Sequence, residues 1–161
     1  MMKQRGFTLL ELILALVIFA SSAMLVVTTI PSRSGPDIFG QQFKSLVEYG
    51  SDRAVMEGNI FGLVITSQHY QLVIARYKND QTYWVPLTAG RIETQGEFPQ
   101  GMHVLLTPQR LAATLDADPQ IIFLPDGEMG RFTLMLQSID KQHRFRVISQ
   151  GASPVKVEND E

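Results

Sequence analysis

Apolar residues dominate the first part of the chain after a short polar start. Lys3 and Arg5 precede the apolar run, and from Leu12 to Ile30 the only polar side chains are serine and threonine hydroxyls, which can bond back to their own helix. A helix over residues 7–30 would be roughly 36 Å long, which exceeds the about 30 Å of a hydrocarbon core. The pattern predicts a membrane-spanning helix whose basic flank holds the N-terminus in the cytoplasm.

A second helix is predicted after a break at residues 31–36. This segment holds two prolines and a glycine, which favours a kink or a short linker. Asp37 can cap a new helix, and Gly58 followed by Asn59 can stop it. Between them, apolar residues recur at three- and four-residue steps and define one face, made of Phe39, Phe43, Leu46, Val47, Gly50 and Ala54.

The chain after Asn59 is typical of β-strands separated by turns. The predicted strands are Ile60–Thr66, Tyr70–Tyr77, Gln81–Leu87, Gly101–Leu106, Ile121–Phe123, Arg131–Gln137 and His143–Ser149. Pro86 is expected at an edge or a strand end, because it cannot donate to a ladder. Residues 89–119 are interpreted as a variable loop insertion, and residues 151–161 as an acidic, frayed tail. The predicted fold class is α+β, with residues 37–150 forming one globular domain.

Length, charge and cysteine content narrow the class of protein. The 161 residues leave room for one compact domain besides the membrane helix. The formal net charge of −2 gives no reason to expect nucleic acid as a partner. There are no cysteines, so an exported domain forms no disulfide and depends on its core. Thiol nucleophiles and cysteine-based zinc sites are excluded.

The residues at the start of the apolar run carry a resemblance to a known family. A cleavable secretory signal places its small residue after the apolar region, whereas here Gly6 comes before it. Basic residues, Gly6, Phe7 and the following Thr-Leu-Leu-Glu are similar to the class III signal of type IV pilins and pseudopilins. The resemblance implies that a prepilin peptidase cuts after Gly6 and methylates Phe7. Residues 1–6 would then be the leader and residues 7–30 the transmembrane helix.

Glu11 is the one carboxylate in the apolar run. A charged side chain at the centre of a membrane helix costs about 2.5–3.5 kcal/mol or more to insert, so it needs a partner or a proton. One interpretation places Glu11 at the wet membrane interface. The pilin resemblance implies the interpretation that we favour, in which Glu11 pairs with the Phe7 amine of a neighbouring subunit during assembly.

A second resemblance lies in the C-terminal third. Pro125-Asp126-Gly127 is a common turn sequence, in which proline sets φ and glycine supplies a positive φ. With Phe123 two residues before the proline, and a strand after it, the segment resembles the Phe-x-Pro-x-Gly element of GspH- and FimT-type minor pilins. Phe123, Pro125 and Gly127 are therefore assigned to a family turn motif.

Together the two resemblances imply a GspH-type minor pseudopilin of the type II secretion system. The implied fold is pilin-like, with a long N-terminal helix, half membrane-embedded and half amphipathic, packed on antiparallel β-sheets. The implied location is the bacterial inner membrane, crossed once, with the C-terminal domain in the periplasm. The implied partners are the prepilin peptidase, the major and other minor pseudopilins, the inner-membrane assembly platform and inner-membrane lipid.

Residues with other candidate chemistry are scattered along the chain. For His69, His103 and His143, solvated side chains are favoured over a three-histidine metal site. Four carboxylates between Asp116 and Glu128 lack the spacing of a calcium loop. Four basic residues between Arg131 and Arg146 are interpreted as a solvated sheet face and not as a DNA track. No cofactor, no metal and no catalytic residue is predicted.

Three classes of function remain open at this point. The favoured one is a structural subunit of the type II secretion pseudopilus, required for export of folded proteins from the periplasm across the outer membrane. The alternative is a FimT-like minor pilin of a type IV pilus or DNA-uptake system. A basic C-terminal tail would support this alternative, whereas the tail of this chain is acidic. The third is a membrane-anchored enzyme, for which no catalytic residue can be named.

Overall fold

The computed structural model describes residues 9–28, 35–88, 92–140 and 143–160. The chain divides into two compact units, Met1–Arg33 and Ser34–Glu161. In the first unit, helix α1 runs from Leu9 to Thr28, within the predicted apolar run. The side chains from Leu9 to Ile18 are exposed.

Among the described residues, no helix combines the length and the hydropathy of a membrane span. The predicted span of residues 7–30 continues past α1 at both ends, into residues outside the described ones. The predicted leader, residues 1–6, also lies outside them.

Helix α2 runs from Gly35 to Glu57 in the second unit. It begins two residues before Asp37, so the last two residues of the predicted linker are helical. Pro36 is tolerated in the first turn, because its missing N–H would have no partner within the helix. Gly58 ends the helix as predicted, at a φ of +63°. The predicted apolar face is confirmed, since all six of its residues are buried.

The described part of the second unit contains nine strands in two antiparallel sheets. In chain order the strands are β1 Phe61–Ile65, β2 His69–Lys78, β3 Gln81–Pro86, β4 Gln95–Glu97, β5 Met102–Thr107, β6 Ile121–Phe123, β7 Phe132–Ser138, β8 Arg144–Ser149 and β9 Lys156–Asp160. The first sheet has the order β3-β2-β1-β6, and β4 pairs with the first residues of β2. The second sheet has the order β5-β7-β8-β9.

Helix α2 packs against both sheets, through β1 and β6 of the first and β8 and β9 of the second. One apolar core results, in which Phe43, Phe61 and Phe145 are fully buried. The α+β class, with a helix packed on antiparallel sheets, is confirmed. Pro86 ends β3 at the edge of the first sheet, as predicted.

Two sequence interpretations need correction. Residues 89–119 are not wholly a loop insertion, because they contain β4 besides β5, which corresponds to the predicted strand Gly101–Leu106. Residues 151–161 are not a frayed tail, because residues 156–160 form β9 and pair with β8. Val155 is 1% exposed, and Arg146 makes an ion pair of 3.1 Å with Glu158. An apolar anchor and a cross-strand ion pair therefore order a segment whose acidic composition suggested disorder.

The two sheets differ in how many of their faces are buried. All five residues of β1 are buried, whereas β7 alternates between buried and half-buried residues. The chain between β5 and β6 contributes to the difference, because Pro119 lies over β1 at Gly62, where an added Cβ would come within 2.5 Å of the proline ring. The same segment caps the edge of β1 beyond β6, where the Ala112 N–H donates to Ile65 O at 2.8 Å and Gln120 Oε1 accepts the Ile65 N–H at 2.7 Å.

Candidate functional site

Phe123, the first residue of the predicted turn motif, is an anchor in the core. It lies at the end of β6, is 0% exposed and pairs with Phe61 of β1. Its ring packs against α2 at Gly50, where an added Cβ would come within 2.9 Å of Phe123 Cε2. The motif phenylalanine thus fixes the distance between the first sheet and the helix.

Pro125 and Gly127 form the turn that the sequence predicts. The Gly127 N–H donates to Leu124 O at 3.1 Å, and Gly127 has a φ of +89°, which favours glycine. The Glu128 N–H donates to Asp126 Oδ1 at 3.0 Å, so the aspartate side chain closes the turn.

The turn also joins the two sheets, a role that the sequence did not indicate. After the turn, the Met129 N–H donates to Gly151 O at 2.9 Å, and Glu128 forms a bridge with Ala152. The chain then enters β7 at Phe132, which is buried. The motif therefore directs the chain from the first sheet into the second and holds the segment before β9 in place.

The residues predicted for processing and assembly lie in or before α1. Gly6 and Phe7 lie outside the described residues. Glu11 lies in the first turn of α1, among exposed apolar side chains that include Leu10 and Leu12. Its pairing with a neighbouring Phe7 amine stays a prediction.

The other candidate groups do not converge. The described residues contain no group of three or more His, Cys, Asp or Glu side chains that could hold a metal ion. His69 lies 3.5 Å from Glu97 across β2 and β4, whereas His103 lies on β5 of the other sheet. In the basic cluster, Arg146 pairs with Glu158, and Lys141 lies outside the described residues.

A cleft of about 710 Å³ beside β4 was not predicted. Its lining mixes apolar residues with carboxylates and includes Tyr70, Leu87, Ile92, Glu93 and Glu97. Burial raises the pKa of the Tyr70 phenol above its ordinary 10.0, and the Glu93 carboxylate raises it further. The sequence carries no signal for this cleft, because its walls come from segments that become neighbours only in the folded sheet.

Two family models match the chain. The prokaryotic N-terminal methylation motif matches residues 1–27, which include Gly6, Phe7 and Glu11. The model of type II transport protein GspH matches residues 40–152, which include α2 from its second turn, both sheets up to β8 and the whole turn motif.

Individual relatives agree with the family models. A type II secretion system protein H of Klebsiella pneumoniae is 31% identical over 149 residues, which cover 84% of this chain and 87% of the relative. The protein of the same name in Dickeya chrysanthemi is 30% identical, with 93% of each chain covered.

Solved structures share the fold. The solution structure of Escherichia coli GspH matches with a TM-score of 0.61 at 20% identity, over 74% of this chain and 84% of that one. The minor pseudopilin EpsH of the Vibrio cholerae type 2 secretion system matches with a TM-score of 0.59 at 20% identity, over 76% and 94%. A helix packed on two antiparallel sheets is thus the fold of a pseudopilin-like protein. The chain belongs to the GspH family of type II transport proteins.

Proposed function

We propose that this protein is a minor pseudopilin, a structural subunit of the type II secretion pseudopilus that serves export of folded proteins from the periplasm. The observation that carries the proposal is the pair of family matches on one chain. A methylation motif covers the N-terminus, and the GspH model covers the packed domain. A filament subunit needs both parts, one for processing and anchoring and the other for contacts with its neighbours.

The N-terminal segment would anchor the subunit in the inner membrane before assembly. Lys3 and Arg5 favour a cytoplasmic N-terminus, and the apolar run of residues 7–30 is long enough to cross once. Prepilin peptidase would cut after Gly6 and methylate Phe7. The domain from α2 onward would then lie in the periplasm.

Glu11 would act when the subunit leaves the membrane for the filament. A fixed positive charge stabilises a carboxylate more strongly in an apolar setting than in water, because the local dielectric constant is low. The Phe7 amine of a neighbouring subunit would supply that charge. The proposed partners are accordingly the major and other minor pseudopilins, the assembly platform and inner-membrane lipid.

The FimT-like alternative is not favoured. The matched relatives are named for type II secretion, and the C-terminal segment is an acidic strand that pairs with β8. The alternating Lys156, Glu158 and Asp160 give no continuous positive track for a DNA backbone.

The test is a deletion of the gene in the source bacterium, followed by complementation with the full chain. We expect folded exoproteins to accumulate in the periplasm of the deletion strain and to reach the medium again after complementation. A periplasmic marker protein in the same fractions controls for lysis. Normal secretion combined with loss of pili or of DNA uptake would overturn the proposal in favour of the pilin alternative.

A further inference from the structure

The edges of the two sheets differ in how they are protected. An unpaired edge presents a row of free N–H and C=O groups, and natural proteins shorten, charge or cover such edges to prevent unwanted strand pairing. In the described residues, the first sheet has edges at β3, β4 and β6, and the second at β5 and β9. An edge without protection is a candidate docking site.

Three of these edges are protected. Strand β6 is three residues long, and the Gly130 N–H donates to Ile122 O at 3.2 Å on its open side. Strand β4 is equally short and carries Glu97. Strand β9 alternates charged side chains from Lys156 to Asp160.

Strand β3 is uncharged, but an added strand would find little to pack against. Its first three residues, Gln81 to Tyr83, are exposed on both faces, and the strand ends at Pro86. A strand added here would meet apolar side chains only at Tyr83, Trp84 and Val85, none of them buried, next to the proline that ends the strand.

Strand β5 combines an unprotected edge with a packed face. Residues 102–107 contain no Lys, Arg, Asp, Glu or Pro. Val104 and Leu106 are buried at 7% and 8% exposure, whereas Leu105 between them is 48% exposed. An added strand would therefore extend the core face beside Val104 and Leu106 and cover Leu105 with its outer side chains.

We propose that the free edge of β5 accepts an extended, uncharged segment of a different, neighbouring subunit by strand addition. The proposal rests on the proposed function, because it names a contact through which the subunit meets its neighbour. An uncharged segment fits because β5 offers no opposite charge to a buried Lys or Asp. Residues 102–107 span only roughly 20 Å. Such a contact falls short of the about 1,200 Å² of a standard stable interface, and it therefore suits a partner already held alongside in an assembly.

The test places a benzophenone amino acid at His103 of the full chain, in cells that carry the complete secretion machinery. His103 is exposed on β5, and we expect a crosslink to one other pilin-like subunit, identified by mass spectrometry. Leu105→Lys should lower the crosslinked fraction about tenfold (about 1.4 kcal/mol), because strand addition would bury the new charge. Leu105→Val keeps a neutral strand residue and should crosslink normally.

Two controls separate an edge effect from unfolding. Met56→Lys adds the same charge at an exposed position of α2 (81% exposed) and should leave the crosslink unchanged. The Leu105→Lys chain should also keep the unfolding midpoint of the parent, measured by Trp84 fluorescence in detergent.

Several outcomes would overturn the inference. They are the absence of a crosslink, a dimer of this chain with itself, a crosslink to an exported protein only, or equal yields from the Leu105→Lys and parent chains. If the chain restores secretion in the deletion strain but His103 crosslinks to no subunit, the docking inference fails and the proposed function stands. If the deletion strain secretes normally, both fail.

Discussion

Gly50 of α2 lies directly against the ring of Phe123, so close that the helix has no room for a side chain there. An added Cβ would come within 2.9 Å of Phe123 Cε2 and 3.0 Å of Leu72 Cδ1. The first residue of the turn motif and a helix glycine 73 positions earlier, by their residue numbers, therefore form one contact.

The overpacked contact in Gly50→Ala would cost about 1–3 kcal/mol. Alanine normally stabilises a helix by about 0.8–1 kcal/mol relative to glycine, which offsets part of this cost, so we expect the free energy of unfolding to fall by up to about 2 kcal/mol. Urea unfolding of the full chain in detergent, followed by fluorescence of Trp84, measures it. Ser45→Ala, at an exposed position of α2, is the control and should change stability by no more than about 0.5 kcal/mol. A Gly50→Ala chain more stable than the parent would contradict the close packing.

Deletion of residues 156–161 should destabilise the domain by at least about 2 kcal/mol. It removes the ladder to β8, worth about 0.5–1.5 kcal/mol per hydrogen bond, and also the Val157 side chain, which packs against the core. Glu158→Gln removes only the partly exposed ion pair with Arg146, and should cost at most about 1 kcal/mol. Thermal unfolding should show a larger loss of stability for the truncated chain than for Glu158→Gln. Equal unfolding midpoints for the truncated and parent chains would support a frayed tail instead of an ordered strand.

The raised pKa of Tyr70 predicts a loss of stability in alkali. The phenol holds its proton more tightly in the folded than in the unfolded state. The contribution of this group to the free energy of unfolding is therefore fully present below the ordinary pKa of 10.0, and it is lost as the pH rises through the pKa of the folded state. Tyr70→Phe should flatten the fall in unfolding free energy above about pH 10. Tyr77→Phe, at a 70% exposed position, should retain it. Parallel pH profiles for the Tyr70→Phe and parent chains would contradict the prediction.

Processing should depend on the size of the side chain at position 6. In the host, mass spectrometry of the membrane-extracted protein should show methylated Phe7 as the first residue. Gly6→Ala should be partly processed because alanine is small, and Gly6→Leu should retain the leader. An intact Met1 on the parent protein would refute cleavage at this site.

Glu11→Val should leave membrane insertion and cleavage after Gly6 intact, since losing a carboxylate makes an apolar helix easier to insert. Incorporation into the filament should fall, because the Phe7 amine of a neighbour would lose its partner in a low-dielectric setting. Glu11→Asp keeps the charge with a shorter reach and should be intermediate. Crosslinking to other pseudopilins in membranes, normalised to processed protein, is the readout. Normal crosslinking of the Glu11→Val chain would show that the carboxylate makes no assembly contact.

The sequence predicted those elements whose own residues specify them. Phe132, Leu134 and Leu136 alternate with more polar neighbours, so β7 could be predicted from period two alone. The apolar face of α2 and the turn at Gly127 were predicted for the same reason, because periodicity and turn chemistry are local.

The elements that were missed depend on distant partners. Gln95, Gly96 and Glu97 have no strand pattern of their own, and they form β4 because the first residues of β2 offer a free edge. Strand β9 is charged on alternate residues and is ordered by Val155 and by pairing with β8. The sequence also did not show that the Phe123–Gly127 turn joins the two sheets. It predicts the turn, but not which strands pack beside the turn in the folded chain.

The route of the chain between the sheets has a consequence for cooperativity. Strand β5 belongs to the second sheet, yet it lies in sequence between β4 and β6 of the first. Neither sheet is therefore a continuous piece of chain, and no single cut separates them. Between β4 and β6 of the first sheet, the chain passes through β5 of the second. The two sheets should thus form and melt as one unit, and a partner that holds either of them stabilises the whole domain.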